Sequence, residues 1–282
     1  DSSCDIPQEL AEKYGIDIMS FHILLDDVDY VERESCTNTE FYDKMRLAKG
    51  VPSTAAITPI QFCEKYCQYV DEGYTDVIHV PINKSGSSTY NNALMAQGML
   101  REERPEHHMK IHLLDSHTYS MVFGWYLCEM ARKLKNGAEI SHVIQEFEKQ
   151  MNCMEIILGP YSLKQMKKSG RISAAAAVMG ELMGVRPIIT LIDGKTKVES
   201  KVRGDDKVVP AMIELCKKRA DGVENFDYMI GHTNIKQAED LEKACRKAFG
   251  KAPLVVFELG GVVSANTGPD TVALVYTGHS RG

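Results

Sequence analysis

The chain has 282 residues, 44% of them hydrophobic and 26% charged, with a formal net charge of −6. Those proportions belong to a globular chain and exclude a disordered one; no apolar run approaches the ~20 residues that span a bilayer. The negative balance, with only short basic clusters such as Lys164 to Arg171, speaks against nucleic acid as a partner.

The length allows two hydrophobic cores with a cleft between them. In chain order, Asp17 to Leu25 and Asp76 to Ile82 read as buried strands, and Thr58 to Glu72 and Ser88 to Glu103 as helices. That alternation predicts a parallel sheet with crossover helices. Thr58 followed by Pro59 has the pattern of an N-cap with proline at N1. Lys110 to Leu114 is a third strand, and Met121 to Lys135 a helix closed by Asn136-Gly137. Ser141 to Asn152 is a further amphipathic helix. A second unit begins with the strand Met154 to Leu158, which divides the chain into 1–153 and 154–282. In it Tyr161 to Lys168 and Ala174 to Met183 read as helices and Val185 to Ile192 as an apolar strand bearing Pro187. Asp193-Gly194 is the tight turn into Thr196 to Val202, so this sheet is expected to be mixed or antiparallel. Ala238 to Phe249 is a helix, and Leu254 to Glu258 and Thr271 to Tyr276 are strands.

Eight cysteines are spread through these elements without the density of a disulfide scaffold, which predicts free thiols in a reducing compartment. Cys63 and Cys67 share a helix face, but no second Cys or His pair completes a zinc site, so no metal is expected. The sequence carries no charged-then-apolar leader, which reads as cytoplasmic.

The sharpest local feature is the strand Asp76 to Ile82 followed by Asn83-Lys-Ser-Gly-Ser-Ser-Thr-Tyr90 and a helix. Ligands of open α/β sheets sit beyond the carboxyl ends of strands, and a helix N-terminus offers unpaired N–H groups to an anion. Gly86 permits close approach, and Ser85, Ser87, Ser88 and Thr89 add hydroxyl donors without charge. One serine before a helix is expected as a cap; four hydroxyls around a glycine exceed that need. Pro52 to Pro59 is a second hydroxyl-bearing turn, in which Thr54 is not needed for the cap. Gly260 to Pro269 is a glycine-rich loop bringing the neutral groups of Asn266 and Thr267. Ser169-Gly-Arg-Ile-Ser173 could set the Arg171 cation near a carboxylate or phosphate. Asp115-Ser116-His117 holds the residue types of a hydrolase triad, yet sequence neighbours cannot adopt its geometry. Neither a phosphate-binding Walker loop nor Gly-x-Gly-x-x-Gly occurs.

Taken together, these residues resemble the DegV family, which includes the fatty-acid-binding subunits of bacterial fatty acid kinase. The resemblance runs through Asp1-Ser-Ser-Cys-Asp-Ile-Pro7, Pro52 to Pro59, Ser85 to Tyr90, Asp115-Ser116, Ser169 to Ser173, Arg186 to Ile189 with Asp193-Gly194, and Asn266-Thr-Gly-Pro269. It implies a two-domain α/β fold, the first domain with a Rossmann-like parallel sheet and the second with a mixed sheet, and an acyl chain buried between them. It further implies Thr54 and Ser87 as carboxylate ligands with Ser88 beside them, a separate fatty acid kinase as partner, no cofactor and no catalysis by this chain. Family members carry a histidine where this chain has Asn266, whose amide can donate a hydrogen bond but cannot titrate. They also begin with a β-strand before the Asp-Ser pair, so the resemblance implies chain upstream of Asp1. Two rival readings remain: a small-molecule kinase subunit, since the first domain is similar in fold to dihydroxyacetone kinase, and a carrier of another apolar acid or lipid phosphate met by Arg171 and Arg203.

Overall fold

The computed structural model describes residues 1–172, 184–220 and 227–281. The first half comprises α1 (Gln8–Tyr14), β1 (His22–Leu25), β2 (Val28–Val31), α2 (Asn38–Leu47), β3 (Ser53–Ala55), α3 (Pro59–Asp71), β4 (Asp76–His79), α4 (Thr89–Glu103), β5 (Lys110–Leu113), α5 (Met121–Lys135) and α6 (Ile140–Met151). As the alternation predicts, β4 and β5 pair in parallel across the crossover helix α4, with Asp76 opposite Lys110 and His79 opposite Leu113. Thr58 caps α3 in a full capping box with Gln61, which satisfies two of the helix's unpaired N–H groups reciprocally.

Strand β1 departs from the expectation for Asp17 to Leu25. It is shorter, and it lies outside the parallel pair in a three-stranded antiparallel sheet ordered β2-β1-β3. The reason is the Asp26-Asp27 turn: both residues adopt left-handed backbone, with φ of 46° and 64°, which is the geometry that closes a two-residue hairpin. The Asp26 carboxylate then accepts the N–H groups of Lys49 and Gly50 at 3.0 and 2.8 Å, bringing β3 alongside. Thr54 therefore sits on a strand, opposite Ile23, and not in a free turn.

The second half contains β6 (Met154–Pro160), α7 (Met166–Ser169), β7 (Val185–Ile192), β8 (Lys195–Arg203), α8 (Val208–Arg219), β9 (Tyr228–His232), α9 (Ile235–Phe249), β10 (Val256–Glu258), α10 (Gly261–Thr267) and β11 (Thr271–Thr277). The helix expected over Tyr161 to Lys168 is confined to α7, and the one expected over Ala174 to Met183 lies outside the described residues. Six strands form one mixed sheet, ordered β10-β9-β11-β6-β7-β8, in which only β10 and β9 run parallel. Asp193 and Gly194, with φ of 48° and 73°, make the turn between β7 and β8.

Side chains alternate across a strand, so the apolar runs of β6 and β11 require cover on both faces. One face, with Ile157, Val272 and Leu274, packs beneath Val208, Met212 and Leu241 of α8 and α9. The other, with Ile156, Leu158, Ala273 and Val275, faces the first lobe. Helix α10 crosses between the two: Val262 and Ala265 pack with Phe21, Ile23 and Phe41 of the first lobe. Ile157 is fully buried at the centre of the sheet. Ile157→Ala should lower unfolding free energy by about 2–5 kcal/mol in urea denaturation; a loss under 1 kcal/mol would contradict this packing.

Candidate ligand-binding site

The first-lobe turns and the uncovered sheet face enclose one cavity of about 1010 Å³, its open mouth included. Its sheet side is wholly apolar, made by Ile156, Leu158, Leu191, Ala273 and Val275, and Phe21, Ile82 and Val122 of the first lobe add to it. Thr54, Ser87, Ser88, Arg171, Asn266 and Thr267 all line this same cavity. Residues separated by more than two hundred positions are thus brought together. Arg203, at the end of β8, is not among the lining residues.

The four hydroxyls after β4 divide by role. Ser85 Oγ and its N–H both bond to Asn83 Oδ1 at 2.7 Å, a turn-forming arrangement that holds the loop. Thr89 is buried, with its Oγ1 2.8 Å from Ser87 Oγ, and Ser87 Oγ accepts the Thr89 N–H. Ser87, one residue before the N-cap of α4, is held by these bonds to Thr89 while lining the cavity, and Ser88, the N-cap, makes no side-chain cap hydrogen bond. Thr54 makes no side-chain hydrogen bond among the described residues. Asn266 donates one amide hydrogen to Val262 O at 2.8 Å, which leaves its second hydrogen and its Oδ1 for another partner. Thr267 Oγ1 is buried without a hydrogen bond among the described residues, an arrangement that costs free energy until a partner arrives. Arg171 is exposed, and among the described residues its guanidinium bonds the Ser169 carbonyl, at 3.3 Å.

Tyr119 is a lining residue that the sequence reading missed. Burial, with Asp115 adding to it, pushes its phenol up to about 12, so it stays neutral and can donate. A Cβ at Gly86 would collide with the Tyr119 hydroxyl and ring, so the glycine is required by this ring's approach. The position after β5 was the available signal, because it is a strand's carboxyl end like the loop after β4. Ser120, next in sequence, has φ of 63° and donates to the buried Asp5 carboxyl. Burial raises the affinity of Asp5 for its proton, and the neighbouring Glu32 carboxyl raises it further. Asp5 accepts the Gly260 N–H at 2.9 Å and Glu32 the Val262 N–H at 2.7 Å. Those two bonds anchor the N-terminus of α10, the helix that presents Asn266 and Thr267.

Among the described residues, no group of three or more His, Cys, Asp or Glu is placed to hold a metal ion, and no helix is long and apolar enough to cross a membrane. All eight cysteines are free.

These features define a two-lobed α/β protein with an apolar cavity between its lobes and neutral hydrogen-bonding groups in the wall. The chain belongs to the DegV family: residues 1–278 match the family described as "Uncharacterised protein, DegV family". It is 27% identical to the DegV domain-containing protein CPE0304 of Clostridium perfringens, over 99% of this chain and 98% of that one. Among solved structures it is similar to the fatty acid binding DegV family protein SAG1342 of Streptococcus agalactiae, with 26% identity, a TM-score of 0.84 and coverage of 99% and 97%. A fat acid (stearic acid)-binding protein of Eubacterium ventriosum shares the fold at a TM-score of 0.88 and 22% identity, covering 99% of this chain and 96% of that one.

The contact between Gly86 and Tyr119 makes a direct prediction. Gly86→Ala should cost about 1–3 kcal/mol, and less than half of that in a Tyr119→Ala background, as a double-mutant cycle measured by urea denaturation would show. Equal costs in both backgrounds would remove Tyr119 as the reason for the glycine.

Proposed function

We propose that this protein binds a long-chain fatty acid in the cavity between its lobes and presents it to a separate fatty acid kinase, without catalysing a reaction itself. The observation that carries the reading is the cavity's division into an apolar sheet side and a set of neutral donors, Thr54, Ser87, Ser88, Asn266 and Thr267. At about 0.8 kcal/mol per methylene, a tail of about 15 carbons gains roughly 12 kcal/mol gross on burial, before ordering costs. The tail supplies affinity. A carboxylate taken out of water without donors costs several kcal/mol, so the hydroxyls and the Asn266 amide offset that penalty and fix the orientation. Arg171, exposed at the wall, adds a cation near the head group or near a phosphate placed on it later. The fatty acid binding named for the S. agalactiae protein and the stearic acid named for the E. ventriosum protein support this ligand class.

A division at 153/154 fits the reading, with α10 handed across so that both lobes touch the ligand. Eight free thiols fit a cytoplasmic protein. Asn266 has a donor to offer where the resemblance implies a histidine, so the proposed head-group site would lack a titrating group there.

Native mass spectrometry of freshly purified protein should show a co-purifying mass in the range of a C14 to C18 acid. Empty protein that fails to take up palmitate and instead consumes ATP would favour the small-molecule kinase reading. Thr267→Val separates ligand from fold. Removing a buried, unpartnered hydroxyl should raise the stability of the ligand-free protein by about 1 kcal/mol and lower palmitate affinity about 5–20-fold. Ser87→Ala should weaken palmitate binding by a similar factor. Unchanged calorimetric affinity in both variants would place the head group elsewhere.

A further inference from the structure

The two lobes meet at a contact that fatty-acid binding does not itself require. The β7–β8 turn, Asp193-Gly194, rests on the Asn83–Ser88 loop so closely that a Cβ at Gly194 would collide with the Ser85 hydroxyl and come within 3.1 Å of the Asn83 amide. Beside it, His117 Nδ1 reaches across the lobe boundary to Asp193 Oδ1 at 2.7 Å, and lies 3.6 Å from Asp115 Oδ2 in its own loop. Asp115 Oδ1 accepts the backbone N–H groups of Lys84 and His117 at 3.1 and 3.0 Å. Its Oδ2 is buried without a hydrogen bond among the described residues, and the Lys84 ammonium stands 3.4 Å from it. His117 is in left-handed backbone, with φ of 53°, a conformation uncommon for residues other than glycine.

This contact forms part of the cavity wall. The loop supplies Gly86, Ser87 and Ser88, and β7 supplies Leu191, two residues before Asp193. Tyr119, two residues after His117, lines the cavity as well, within electrostatic range of Asp115, Asp193 and Arg171. A hairpin that parts from the loop therefore separates Leu191 from Ser87 and opens this wall.

We propose that His117 and Asp193 form a protonation-dependent latch between the lobes, which sets how fast the ligand enters and leaves the cavity. As imidazolium, His117 faces two carboxylates, Asp193 on the hairpin and Asp115 beneath it, with Lys84 offsetting part of the second. As neutral imidazole it keeps the hydrogen bond and loses the charge attraction. A single partly exposed ion pair has a modest effect, so opening should change about 2–5-fold when the charge on His117 is lost. The proposal rests on the fatty-acid reading only for the identity of the ligand exchanged.

Hydrogen exchange of amides 190–196 in the ligand-free protein, corrected for intrinsic rates, tests the latch directly. Opening should be about 2–5-fold more frequent at pH 8.5 than at pH 6, and His117→Gln should show the high-pH level throughout. Asp193→Asn keeps a residue that tolerates the turn and should behave like His117→Gln. Release of radiolabelled palmitate into phosphatidylcholine vesicles should follow the same profile. Exchange that does not vary with pH in the unaltered protein, or variation that persists in His117→Gln, overturns the latch. Failure to bind palmitate at all overturns the carrier reading instead, while the exchange data still decide the latch.

Discussion

The site depends on a sheet face that, among the described residues, is covered by the first lobe and not by helices α8 and α9 of its own. Strands β6 and β11 are apolar on both faces, and α8 and α9 bury only one of them. The opposite face, with Ile156, Leu158, Ala273 and Val275, meets the first lobe across a cavity. An apolar wall kept apart from its neighbour forgoes contacts that close packing would supply. A long apolar ligand of the kind proposed would restore those contacts, so that ligand class fits the same arrangement as the fold.

The polar wall is built on the same economy. Each side chain lining the cavity is neutral except Arg171, so a tail bound as proposed would be met by hydroxyls and one amide, with the guanidinium at the exposed edge. Hydroxyls suit this position because each can donate to a carboxylate oxygen without carrying a charge that must itself be desolvated. The first lobe holds Thr54 by a strand and Ser87 by its bonds to Thr89 at the start of α4, whereas α10 holds Asn266 and Thr267. That helix is anchored by Asp5 and Glu32, two buried carboxyls for which burial favours the protonated form. The polar side of the cavity thus has supports that lie outside the cavity itself.

Local chemistry was legible in the sequence wherever a local signal decided the structure. Thr58-Pro59 began a helix, Asn136-Gly137 ended one, Asp193-Gly194 turned a hairpin, and Met121 to Lys135 formed the helix its pattern predicts. The six residues singled out for a ligand share one cavity wall, although their individual roles could be assigned only through the family resemblance. What escaped was set by distant partners. The β1–β2 hairpin turns on two aspartates and not on the usual Asn-Gly, and α10 read as a loop because its N-terminal N–H groups are satisfied by carboxyls more than two hundred residues earlier. Tyr119 escaped for the same reason: its place beside Gly86 is a tertiary contact with no local pattern. Helices α1, α2 and α8 and strands β2, β3 and β9 were not read at all, their alternation being too short or too polar to stand out.

The central claim is that an acyl chain lies along the uncovered sheet face with its carboxylate at Thr54 and Ser87. A crystal structure with a palmitate analogue brominated at its last carbon tests it most directly. The account predicts carboxylate oxygens within hydrogen-bond distance of Thr54 and Ser87, and anomalous bromine signal buried against side chains of the large sheet. Bromine beside Ser87, or an analogue bound only on the outer surface with the cavity empty, would contradict it.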